Sequence, residues 1–185
     1  MTTAEVLARF THRYLDPGER LGEILFGLIM VLTFTATARA TLGDSPDSGR
    51  QLLIAALGCN VAWGIIDGGM YIMTAMLGRA REASAEARAR GVSPANHTRV
   101  TVDDIKGATG CFLLVVACTI PASLPFMFVD DSYLALRLSN GLLIAMLFLA
   151  GYAWGYHANT SRWIAGLVFL VIGVLLVLLA IALGG

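Results

Sequence analysis

The chain has 185 residues, of which 57% are apolar and only 14% charged, and its mean hydropathy is +0.72. A soluble domain carries about a quarter charged residues, so the composition excludes an ordinary soluble domain and points to the membrane. Thirteen basic residues balance thirteen acidic ones, which leaves no excess positive charge for nucleic acid.

In chain order, Thr2-Thr3-Ala4-Glu5 has the form of a capping box and predicts a short helix within residues 1–16. Val6, Phe10 and Tyr14 recur at helical spacing, with Leu7 and Leu15 alongside and Arg9 and Arg13 on other faces. That pattern suits a helix lying in the membrane interface, or equally an amphipathic helix packed on the rest of the protein. Asp16-Pro17-Gly18-Glu19 then supplies an N-cap, a proline at the first helical position and an acid at the third, so the next helix starts at Pro17.

A spanning helix needs about 20 predominantly apolar residues. Residues 17–185 contain five such stretches, at 21–42, 52–77, 107–129, 134–156 and 163–183. The fold class read from them is all-α, a polytopic integral membrane protein with five transmembrane helices. The first span is the weakest by hydropathy, because it holds Glu23 and Arg39, the latter placed to snorkel toward the surface. The connection 78–104 reads as a helical insert: the second helix runs on through an alanine-rich segment with Glu86 four residues before Arg90. Gly91 and Pro94 stop it, and Thr101-Val102-Asp103-Asp104 caps the third helix.

Basic residues set the expected orientation. Arg9, Arg13 and Arg20 precede the first span. Arg79, Arg81, Arg88, Arg90, Arg99 and Lys106 lie between the second and third, and His157 and Arg162 follow the fourth. The other loops hold Asp44, Asp47, Asp130 and Asp131 against Arg50 and Arg137. Positive loops stay inside, so the N-terminus is expected in the cytoplasm and the C-terminus across the membrane. The triplets Asn96-His97-Thr98 and Asn159-Thr160-Ser161 then face the cytoplasm and carry no glycan. No short apolar core of a signal peptide precedes the first span, so that span is expected to direct insertion itself.

Ionisable groups inside a span are costly and are functional candidates by default. Asp67 is the sharpest. Asn60, Gly64, Asp67 and Tyr71 share one face of the second span, a polar, small-residue stripe that belongs against other helices. It reads either as a packing face or as an ion or proton site. Glu23 lies near the start of the first span, where the helix macrodipole also accounts for an acid. Met30, Met70 and Met73 add thioethers. At about 1.5 Å per residue, antiparallel neighbours would set Met30 level with Asp67 and Met70. A carboxylate with thioether and hydroxyl groups can hold a borderline transition metal, although methionine in a span is more commonly packing.

Pro121 and Pro125, four apart in the third span, remove two backbone donors and are expected to kink or loosen it. Gly64-xxx-Gly68 and Gly151-xxx-Gly155 permit close helix approach, and either can form a dimer seam. Cys59, Cys111 and Cys118 sit in apolar stretches without metal or disulfide spacing and read as small hydrophobes. His12, His97 and His157 have no nucleophile beside them, so no enzyme is expected and no cofactor is called for.

The layout, with the stretch 23–35 beginning Glu23-Ile24-Leu25-Phe26-Gly27-Leu28 and the proline-rich Ile120-Pro121-Ala122-Ser123-Leu124-Pro125-Phe126, resembles the vacuolar iron transporter family. This family comprises manganese and iron exporters of plants, fungi and bacteria. The resemblance runs from Gly22 to the end, mainly as architecture plus those two stretches. It implies a proton-coupled transporter of a divalent metal such as Fe²⁺ or Mn²⁺, multi-pass in what is expected to be a bacterial inner membrane. It also implies a homodimer whose first two helices line a shared pathway among membrane lipids. On that reading Asp67 is the midplane carboxylate, Glu23 the cytoplasmic entrance, and Met30 and Met70 soft ligands. Two departures stand out. The family's Asp-Gly pair after Phe-Gly-Leu is Met30-Val31 here, and the insert offers Glu82, Glu86, His97, Asp103 and Asp104 amid more numerous arginines. These departures favour the rival reading, a non-transporting membrane-embedded binding or regulatory protein.

Overall fold

The computed structural model describes residues 3–42, 48–93, 99–129 and 131–182. Among them every regular element is an α-helix: α1 (Thr3–Tyr14), α2 (Pro17–Leu42), α3 (Ser48–Arg90), α4 (Val102–Ala117), α5 (Thr119–Phe128), α6 (Ser132–His157) and α7 (Arg162–Ala182). Thr2, Asp44, Asp47, Pro94, the Asn96 triplet and Asp130, all used above, lie outside the described residues, as do the side chains of Arg39 and Arg50.

Three helical stretches among the described residues are long and apolar enough to cross a membrane: Gln51–Arg90, Val102–Phe128 and Tyr133–His157. A shorter apolar helix covers Arg162–Leu176. Their outer faces carry large apolar side chains such as Ile65, Met73, Met127, Leu149, Ile164 and Leu175, each more than half exposed. A soluble protein rarely leaves so much apolar surface open; a lipid-facing helix does so by design.

Local chemistry sets the helix ends. The Asp16 backbone N–H donates to the Glu19 carboxylate at 2.9 Å, and α2 begins at Pro17. Thr101 and Asp104 form a reciprocal capping box at the start of α4. α3 runs unbroken for 43 residues. It stops at Gly91, whose φ of +69° is the left-handed conformation that a Cβ disfavours. Gly91 N–H reaches Arg88 O and Val92 N–H reaches Ala87 O, the paired bonds of a Schellman stop.

α2, which holds the expected first span, the weakest by hydropathy, is the central helix. α2 touches α3, α4, α5, α6 and α7. Its Leu25, Leu28, Val31 and Leu32 form the core with Cys118, Ala122, Leu143, Leu147 and Ala150. A helix wrapped by its neighbours needs no lipid-facing apolar ring, which accounts for its modest hydropathy. Thr35, fully buried, donates to Asn140 at 2.6 Å and ties α2 to α6. α1 lies on α4, with Thr11 and Leu15 buried against Gly110. Of the two expectations for this segment, packing is directly visible.

The expectation of a glycine dimer seam is corrected. Both glycine pairs are consumed inside the chain. Gly64 and Gly68 abut Phe112 and Ala108 of α4, while Gly151 and Gly155 abut Phe169, Ala165 and Arg162 of α7. Neither pair is free to form a dimer seam. The prolines loosen the helix, as expected. At Cys118, between α4 and α5, one turn residue interrupts the bonding ladder, while the backbone stays helical (φ −65°, ψ −18°) and the stretch Val102–Phe128 runs on. Pro121 cannot bond the carbonyl four residues back, and its ring presses on it. That residue, Ala117, is where α4 ends.

Candidate functional site

The α3 stripe does face other helices. Asn60 is buried, and its amide donates to Val115 O at 2.9 Å, just before the α4–α5 junction. At Gly68 an added Cβ would meet the Ala108 carbonyl oxygen at 3.0 Å, so only glycine allows the backbones this close. Further along, the Tyr71 ring covers Gly107 and its hydroxyl donates to Tyr14 O at 3.1 Å.

Asp67 sits at the edge of this stripe, where α3 meets α2. It lies within electrostatic reach of Glu23, and the Cys111 thiol of α4 lies beside the Glu23 carboxylate. Asp67 and Glu23 are both half-buried, and Cys111 is fully buried. Two carboxylates and a thiol from three helices are therefore within electrostatic reach of one another without forming a compact three-group cluster. Phe26 and Trp63, with ring centroids 5.7 Å apart and edge to face, close the α2–α3 contact one turn further along. Asp67 Oδ2, Asn60 Oδ1 and Arg20 Nε are buried without a hydrogen-bond partner. A buried acceptor left unpaired in a bundle is costly.

The methionines do not join these groups. Phe26 pairs with Trp63 and Glu23 with Asp67, so the antiparallel register places Met30 beside Asn60. That is about seven residues, or ~10 Å, away from Asp67 at the helical rise. The expected level of Met30 with Asp67 and Met70 is corrected accordingly. Met70 is 60% exposed, on the open edge of α3 beyond Asp67. Among the described residues no three His, Cys, Asp or Glu side chains are grouped to hold a metal ion.

Pro121 and Pro125 lie in α5, on the other side of Cys118 from these groups. Side chains bond several carbonyls on either side of Cys118. Cys118 Sγ–H reaches Leu114 O and Ile24 O, Thr119 donates to Val116 O, Ser123 to Ile120 O, and Ser139 of α6 to Ala122 O, which ties α5 to α6.

Sequence reasoning missed Cys111 because a cysteine among apolar residues reads as a small hydrophobe. Its place opposite Glu23 comes from the packing of α4 on α2, which no local pattern encodes. No family model matches the chain, and no curated protein matches it.

Proposed function

We propose that the chain is a five-span membrane protein with a cytoplasmic N-terminus that exchanges a divalent transition metal, such as Fe²⁺ or Mn²⁺, for protons. The carrying observation is the Glu23–Asp67 pair: two half-buried carboxylates on neighbouring helices within electrostatic reach of each other, with Asp67 Oδ2 buried and unpartnered. Two carboxylates in a low-dielectric site can be neutralised by two protons or by one divalent cation. Either form is tolerable there, whereas the bare dianion is not. Cys111 adds a soft donor beside Glu23. Coordination is completed by water or by a second copy against the open α2–α3 edge, where Trp63 and Met70 are exposed. The positive-inside distribution of arginines supports the orientation.

The rival reading is a non-transporting binding or regulatory protein. It is favoured by the separation of Met30 from Asp67 and by the absence of a three-group cluster among the described residues.

Liposomes loaded with a metal-sensitive dye separate the two. Wild-type protein is expected to quench the dye in Fe²⁺ or Mn²⁺ under a proton gradient, with Asp67→Asn and Glu23→Gln both reduced to the level of empty liposomes. Quenching that survives both substitutions removes the site assignment. No quenching by wild type selects the rival.

A further inference from the structure

A polar cavity lies apart from the carboxylate pair, where the end of α1 meets α3 and the start of α4. It measures about 410 Å³, and its lining includes Arg13, Tyr14, Tyr71, Arg79, Asp103, Asp104 and Lys106. Its floor is fixed. Arg79 holds Asp104 through two bonds of 2.7 Å, and Tyr71 ties α3 to the last carbonyl of α1. Asp104 therefore cancels Arg79. The cations at the mouth are not cancelled in the same way. Arg13 and Lys106 both approach the Tyr14 ring, at 5.7 and 5.1 Å from its centroid. Among the described residues the acid paired with Lys106 is Asp103, which is 78% exposed and 3.4 Å away. A contact of that kind in water contributes little.

The ring thus gathers two cations at a polar cavity lined by three basic and two acidic side chains, of which Asp104 is tied to Arg79 and Asp103 is turned mostly to solvent. We infer that this cavity binds a phosphate-ester anion between Arg13 and Lys106. The inference is independent of what the bundle carries. The aromatic rings and basic side chains stand at the end of α1 and the start of α4, the level at which phospholipid headgroups lie in the proposed membrane placement. The same chemistry would accept a free phosphate.

Lys106 is the only lysine in the chain, so its acylation by an amine-directed reagent, read on its own peptide, reports occupancy directly. In detergent, short-chain phosphatidylglycerol is expected to slow acylation of Lys106 in the wild-type protein, and phosphatidylcholine to leave it unchanged. Arg13→Gln should weaken the phosphatidylglycerol effect by about fivefold, the contribution of one basic group at a lipid surface, while Arg13→Lys retains it. Protection by inorganic phosphate as strong as that by phosphatidylglycerol would assign the site to the free anion. Protection by neither, or equal protection by phosphatidylcholine, overturns the proposal. The wild-type arms decide this even if Arg13→Gln fails to fold.

Discussion

Asp104 shows how one side chain serves two structures. One carboxylate oxygen accepts the Thr101 N–H of the capping box at 2.8 Å, and both oxygens accept from Arg79 of α3. The residue is 4% exposed, and the Arg79 guanidinium beside it, helped by the Thr101 bonds, lowers its carboxyl to about 2. The folded value lies below the ordinary 3.8, so the unfolded chain binds the extra proton first. The stabilisation is therefore complete above pH 3.8 and is lost as pH falls toward about 2. Asp104→Asn should lower the unfolding temperature in detergent by several degrees at neutral pH. The gap to wild type should close across that acid window, as a pH series of thermal melts would show. The sequence already marked Asp104 as a cap through Thr101-Val102-Asp103-Asp104. Its partner Arg79, 25 residues earlier, was legible only as one of several loop arginines, because the pairing is made by tertiary contact.

At the scale of the element, the helix ends were the most readable features. Asp16-Pro17, Thr101–Asp104 and Gly91 each act on backbone groups within a few residues, so local chemistry suffices to locate them. Registers between helices were not readable. The depth of Met30 relative to Asp67 depends on Phe26 meeting Trp63, a packing choice with no signature in either segment. The α3–α4 seam offers a direct test, because two adjacent glycines of α3 have opposite surroundings. A Cβ at Gly68 meets the Ala108 backbone, whereas one at Gly69 meets nothing within 4 Å. Gly68→Leu should destabilise the bundle by about 1–3 kcal/mol through overpacking, while Gly69→Leu should leave the melting temperature near that of wild type. Thermal unfolding of the two variants, side by side, checks the expectation. Equal losses would mean that α3 does not seat on α4 through this face.

For the whole molecule, apolar content and helical class were evident from composition. The central position of α2 was not, since hydropathy ranks that helix last among the five apolar stretches. Burial by protein and burial by lipid leave different marks, and only the second makes a sequence conspicuously apolar. The proposed orientation predicts a labelling pattern. In a variant with Cys59 replaced by alanine, Ser84→Cys should react with an impermeant maleimide only after cells are permeabilised. Tyr133→Cys should react in intact cells. The reverse pattern would invert the topology, and labelling of both in intact cells would place α3 and the start of α6 on one side.

The unbroken course of α3 has a mechanical consequence. Asn60 and Gly68 pin the helix against α4, and beyond them it continues without a hinge to Arg90. Tyr71 and Arg79 fasten it further, to Tyr14 and Asp104, so the last of these ties lies 11 residues, or ~16 Å, short of Arg90 at the helical rise. The exposed basic end is therefore a free arm whose motion stops at Arg79, and the carboxylate pair behind it is insulated from whatever that arm meets.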